Sequence, residues 1–222
     1  MVFSSLQFIF IFMPIFFGCY YIVPDKIKNF ILFIGSLCFY FVGTIHNPEH
    51  FILFILSIVV DFAVGIWIEK FPARKKVLLA TGIIFHLINF AVFKYSGFVI
   101  NEMSRLNPSF NFTADVVLPI GISFYTFQGI SYIVDVYRGN AKAERSLLRY
   151  AVYISMFEQL IAGPIVTYGQ VEKELYKRKI KVSSVLKGMG VFIFGLGLKV
   201  LLANPIGKLW SQTCAIGFES IS

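Results

Sequence analysis

Seven runs of apolar residues, separated by short polar loops, set the pattern of this 222-residue chain. They cover residues 7–23, 30–45, 51–68, 77–93, 116–134, 147–166 and 185–203. At about 1.5 Å of helix per residue, each run approaches the roughly 30 Å of hydrocarbon in a bilayer. The pattern predicts an all-α, polytopic integral membrane protein with six to seven transmembrane or re-entrant helices. No internal repeat and no soluble domain interrupts it.

Two of the runs are not plain spans. The fifth carries Ser123, Tyr125, Thr126, Gln128, Ser131 and Tyr132. Lipid tails cannot hydrogen-bond these groups, so they should face protein or a water-filled cavity. The sixth holds Glu158 and Gln159 at its centre, followed by Ala162-Gly163-Pro164. Pro164 removes a backbone donor and disfavours helical geometry at Gly163. Either this run dips into the membrane and returns, or it crosses completely with a proline kink.

Composition agrees with the membrane reading: 57% of residues are apolar and only 14% charged, where soluble domains average about 25% charged. The net charge of +8 does not point to nucleic acid, because the bases lie in short loops between apolar runs. Lys26 and Lys28 occupy the first loop, Lys70, Arg74, Lys75 and Lys76 the third, and Arg138, Lys142, Arg145 and Arg149 the fifth. Residues 45–50 have no Lys or Arg, and the fourth loop has Arg105 with Lys94 at its border. The odd loops are therefore expected inside and the N-terminus outside. The sixth loop, with Lys173, Lys177, Arg178, Lys179 and Lys181, breaks the alternation if every run crosses; a returning sixth run restores it. Cys19, Cys38 and Cys214 show no paired spacing and read as small buried hydrophobes. Residues 1–24 lack a basic start and a small-residue cleavage site, so they read as a first membrane helix rather than a signal peptide.

His46-Asn-Pro-Glu-His50 fits the His-x-x-Glu-His zinc pattern, which needs both histidines on one helical face. Asn47-Pro48 looks instead like a helix cap and first-turn pair, leaving His46 outside the helix; no metal is expected. His86, with Asn89 one turn on, fits a tunnel-lining pair or an interhelical hydrogen bond, and Asp61 and Lys199 carry the same two readings. Asp135 and Arg138 can pair at i,i+3 and fix a helix end. Glu158 and Gln159 are candidate tunnel or core-polar residues, with Gln128, Tyr132, Gly163 and Pro164. The glycines of Gly188-Met-Gly190 and Gly195-Leu-Gly197 serve close helix packing, since no strand precedes them.

Two blocks resemble one family. Leu118-Pro-Ile-Gly-Ile-Ser-Phe-Tyr-Thr-Phe-Gln-Gly-Ile-Ser-Tyr-Ile-Val-Asp-Val-Tyr-Arg-Gly139 and Phe157-Glu-Gln-Leu-Ile-Ala-Gly-Pro-Ile165 are similar to signatures of the membrane-bound O-acyltransferases, in the branch that acetylates extracellular polysaccharides. In the second block the family usually has Pro where this chain has Glu158; Gln159, Gly163 and Pro164 match. The opening residues 1–5, Phe93-Lys-Tyr95 and residues 195–200 look like the same branch.

The resemblance implies transfer of an acetyl group from a cytoplasmic thioester such as acetyl-CoA toward hydroxyls of an extracytoplasmic polysaccharide, in the plasma membrane of a bacterium. It implies no bound cofactor, and partners in an extracytoplasmic transferase or a polysaccharide-export system. Family members are about twice as long, and the histidine expected to act as base lies in their second half. Residues 1–222 are thus expected to be the N-terminal part of a single membrane domain, silent alone, with catalytic residues outside the chain. A non-enzymatic membrane scaffold is the alternative; D-alanyl transfer and peptidoglycan acetylation are neighbouring reactions.

Overall fold

The computed structural model describes residues 3–106, 117–161, 163–178 and 180–216. Pro108, the sequon-like Asn111-Phe-Thr113, Ala162, Lys179 and the final Gly217–Ser222 lie outside the described residues. Every regular element among the described residues is helical. They run α1 (Phe8–Ile22), α2 (Asp25–Gly43), α3 (Pro48–Lys70), α4 (Lys75–Leu106), α5 (Ile122–Arg138), α6 (Leu147–Ser155), α7 (Phe157–Leu160), α8 (Tyr168–Tyr176), α9 (Val182–Leu198) and α10 (Asn204–Ile216). Four helical stretches are long and apolar enough to cross a membrane: Asp25–Gly43, Pro48–Lys70, Pro72–Leu106 and Val182–Ala215. Large apolar side chains such as Ile52, Ile84 and Val191 stand exposed along them, as lipid-facing helices require.

Local chemistry sets the boundaries. Asn47 stands at the N-cap position of α3 without a side-chain capping bond and Pro48 occupies its first turn, so His46 falls outside the helix as expected. Helix α4 runs 32 residues, well past the expected end at residue 93; an i,i+3 pair of Glu102 and Arg105 supports its last turn. Helix α5 starts at Ile122 rather than residue 116, behind Gly121 at φ +73°. It ends at Gly139, φ +78°, whose N–H bonds the carbonyl of Val136 while those of Asn140 and Ala141 bond Asp135. Backbone bonds thus fix this helix end, and no ion pair joins Asp135 to Arg138 among the described residues.

The chain forms two compact units, Gly18–Lys177 and Met1–Phe17 with Arg178–Ser222. In the second, Phe8, Phe12 and Phe16 stack along α1 at 5.5 and 5.8 Å between ring centroids. Helices α9 and α10 run on through a π-helical stretch, Lys199–Ala203, just before Pro205, whose missing N–H cannot continue the regular pattern. Cys19, Cys38 and Cys214 are exposed. That corrects their expected burial: apolar helices in a bilayer turn small hydrophobes outward as readily as inward.

The larger unit packs α3, α4 and α5 closely through glycines. A Cβ on Gly65 would meet the Tyr132 ring at 2.8 Å, and one on Gly82 would meet Ile133 at 2.8 Å. Without a hydrophobic drive between helices, such close backbone approach supplies the packing contact that holds spans together. Helix α2 completes the unit against α6.

The sixth run is not one helix. Helix α6 has nine residues, about 14 Å at 1.5 Å each, under half of the roughly 30 Å hydrocarbon core. It stops at Met156, whose ψ of 113° is extended, seven residues before the expected break at Gly163. After the four-residue α7 the described residues form no regular element before Thr167, which opens α8 with a capping box to Gln170.

Candidate functional site

Several side chains define the end of the bundle to which the chain returns. Asn29 Nδ2, near the start of α2, donates to the Leu175 carbonyl in α8 at 2.9 Å. Glu69, at the end of α3, accepts from the N–H of Ala143 at 2.6 Å and pairs with Arg145. The Tyr168 hydroxyl of α8 donates to Glu144 at 2.6 Å. The start of α2, the end of α3, the α5–α6 loop and α8 therefore share one end. The stretch from Leu147 to Tyr176 thus begins and ends at one end of the bundle, the arrangement that a returning sixth run calls for. Lys173 and Lys177 join the bases of the odd loops.

The returning segment is held by side chains rather than regular backbone pairing. Ser36 Oγ of α2 accepts the N–H of Phe157 at 3.3 Å. Gln159 Nε2 donates to the Tyr153 carbonyl at 2.7 Å, and the Tyr153 hydroxyl donates to the Val166 carbonyl at 2.9 Å. Four buried tyrosines close a ring beneath it. Tyr132 lies 4.5 Å from Tyr150, Tyr150 6.0 Å from Tyr153, Tyr153 5.4 Å from Tyr168, and Tyr168 5.3 Å from Tyr132.

The predicted residues separate on this frame. Tyr132 is fully buried, its hydroxyl accepting the N–H of Glu144 at 2.9 Å. Gln128 is 1% exposed, and neither its Nε2 nor its Oε1 has a hydrogen-bond partner among the described residues. Tyr125 Oη and Thr126 Oγ1, on the same two turns of α5, are buried and equally unmatched. A buried amide without a partner is costly, so this polar face is suited to a hydrogen-bonding guest. Gln159 is half-buried beside it, while Glu158, Gly163 and Pro164 are exposed. Glu158 is thus not the central buried acid that the sequence suggested: the break at Met156 turns it outward.

His86 does not pair with Asn89. Its Nε2 sits 2.6 Å from Asp61 Oδ1 of α3, with both residues buried, and Asn89 Nδ2 donates to the Phe85 carbonyl of its own helix. Gly129 of α5 lies against the pair: a Cβ there would overlap Asp61 Oδ2 and stand 2.9 Å from His86 Nε2. The interhelical reading of His86 holds, with a partner the spacing did not identify. His50 is buried with its ring 5.6 Å from Phe93, and His46 is exposed. Lys199 is exposed in the other unit.

Glu144 went unnoticed in the sequence, where its loop attracted attention only for its bases. Its carboxylate is buried at the end of the bundle and takes two bonds from Arg149, at 2.8 and 3.0 Å. Burial alone pushes such a carboxyl up; Arg149, the Tyr168 hydroxyl and the Ser146 N–H outweigh it and hold Glu144 below the ordinary carboxylate value.

Known proteins place this arrangement. The probable alginate O-acetylase AlgI of Pseudomonas aeruginosa is 33% identical over 97% of this chain, and that of Azotobacter vinelandii is likewise 33% identical over 97%. Over nearly its whole length the chain is similar to alginate O-acetylases. A peptidoglycan O-acetyltransferase of Helicobacter pylori is 28% identical over 92% of the chain. The chain spans under half the length of these relatives, 42%, 44% and 45% respectively. No protein-family model and no solved structure matches it. In this chain the two sequence blocks, 118–139 and 157–165, meet in space: the Leu160 carbonyl lies against Gly121, and Gln159 reaches Tyr153, whose hydroxyl stands 3.5 Å from the Gln128 carbonyl.

Proposed function

We propose that this chain supplies part of the membrane core of an O-acetyltransferase, carrying acetyl from a cytoplasmic thioester such as acetyl-CoA toward hydroxyls of an extracytoplasmic polysaccharide. The likeness to named O-acetylases over nearly the whole chain carries the reading. The convergence of both blocks around Gln128, Tyr153 and Gln159 supports it. A charged coenzyme cannot enter hydrocarbon, whereas an acetyl group can pass between protein groups, and a dry path protects a thioester from hydrolysis. The unmatched amide of Gln128 suits a passing carbonyl. An extracytoplasmic transferase or export component would receive the group. The bundle end that gathers the bases faces the cytoplasm, and the N-terminus lies outside in a bacterial plasma membrane. The peptidoglycan relative makes a peptidoglycan hydroxyl the second acceptor to test.

Acceptor attack needs a base near the carbonyl, a contribution of roughly 10²–10⁴-fold. His50 packs against Phe93, the Nε2 of His86 is taken up by Asp61 and His46 stands outside a helix start, so in this reading the base lies beyond these 222 residues. The test is the acetyl content of exported polysaccharide in cells lacking their own O-acetylase. Residues 1–222 alone should give none, and a chain extended by the relatives' remaining sequence should restore it. In the extended chain Gln159→Ala should cut transfer more than His50→Ala. Normal acetylation by residues 1–222 alone would overturn the placement of the machinery.

A further inference from the structure

We propose that Glu144 is the positioning residue of the returning segment, anchoring α8 so that Gln159 keeps its place beside Tyr153. Three elements converge on this one side chain. Its backbone N–H donates to Tyr132 of α5. Oε1 accepts the N–H groups of Arg145 and Ser146, both at 2.7 Å, and Nη2 of Arg149 in α6. Oε2 accepts Arg149 Nε and the Tyr168 hydroxyl, and Tyr176, at the far end of α8, reaches Oε1 at 3.4 Å. Arg149 also lies over the Tyr176 ring, 4.1 Å from its centroid.

Few other bonds hold α8. Asn29 reaches the Leu175 carbonyl, and Tyr153 reaches Val166 just ahead of the helix. The bonds to Glu144 are charge-assisted and one pair is bidentate, which makes them the stronger set. Without the carboxylate, Arg149, Tyr168 and Tyr176 lose their common acceptor together. Helix α8 is then free to lift, and the segment behind it, which has almost no backbone pairing of its own, loses the frame that aims Gln159. The competing role is local: the bonds to Arg145 and Ser146 could serve only the α5–α6 turn, in which case α8 stays put.

Only the link to transfer rests on the proposed acetylation; the anchoring is tested apart from it. Single cysteines are placed at Leu175, on the buried side of α8, and at Ile133, in the core of α5, in a full-length chain freed of its own cysteines. A water-soluble maleimide is applied to permeabilised membranes. With Glu144 present both positions should be protected. Glu144→Ala should raise labelling at Leu175→Cys roughly tenfold or more, as losing one charge-assisted hydrogen bond implies, while Ile133→Cys stays protected. Glu144→Asp should recover part of the protection. Unchanged labelling at Leu175→Cys, or equal labelling of both positions, would overturn the anchoring. In an acetylating full-length chain Glu144→Ala should lower transfer and Glu144→Asp restore part of it; a freed α8 with undiminished transfer would overturn the positioning role. A parent chain that labels as expected yet never acetylates counts against the proposed activity alone.

Discussion

The carbonyl oxygen of Leu160 lies over the α-carbon of Gly121, so close that a Cβ there would stand 2.5 Å from it. Gly121 also holds φ +73°, a left-handed conformation costing other residues about 1–2 kcal/mol. Gly121→Ala should therefore meet both strain and a backbone collision. Gly139, at φ +78° with nothing near a Cβ, isolates the first effect. Thermal unfolding in detergent should show Gly139→Ala losing about 1–2 kcal/mol and Gly121→Ala clearly more. Equal losses would mean that Leu160 yields easily.

The Asp61–His86 pair should behave as a buried pair does. Removing one partner leaves the other unmatched, at about 3–5 kcal/mol. Asp61→Leu and His86→Leu should each destabilise strongly, whereas the Asp61→Leu/His86→Leu double variant should lose less than the two singles summed. Strict additivity in a double-mutant cycle would argue that the two side chains are not coupled.

Acid should loosen α8. Because Glu144 is held below its unfolded value, its contribution is fully present above the ordinary carboxylate range and is lost as pH falls through the depressed folded value. A nitroxide attached at Glu174 should gain mobility on acidification. Glu144→Gln should make it mobile already at neutral pH and flatten the response.

Orientation has its own check. A single cysteine at Ser104 should label from outside and one at Lys75 from inside, and a reporter fused after Arg178 should report cytoplasm. Outside reporting after Arg178 would require residues 147–176 to cross the membrane after all.

The sequence foretold most readily what depends on neighbours along the chain. The start of α3 was legible because Asn47-Pro48 is an N-cap and first-turn pair, and the apolar runs placed the ends of α2 and α3 to within five residues. Contacts between distant segments were not. Helix α6 ends at Met156, where Ser36 of α2 takes the next N–H, whereas the visible breaker, Gly163-Pro164, lies in chain that is already irregular. His86 finds Asp61 25 residues away, and nothing in the spacing favours it over Asn89. Glu144 looked like a loop acid because its partners, Tyr168 and Tyr176, arrive only when the chain folds back. Gln128 and Gln159 were legible as polar groups in apolar runs, a mismatch that needs no structure to see.

The Ser36 bond also bears on how this protein is made. Chains emerge N-terminus first, so α2 is already in the membrane when residues 157–176 leave the ribosome. An ordinary span enters lipid with its backbone bonds closed within itself. The returning segment cannot: the N–H of Phe157 needs Ser36, and the carbonyl of Leu175 takes its side-chain bond from Asn29. It can close these bonds only once α2, a template laid down more than a hundred residues earlier, is in place.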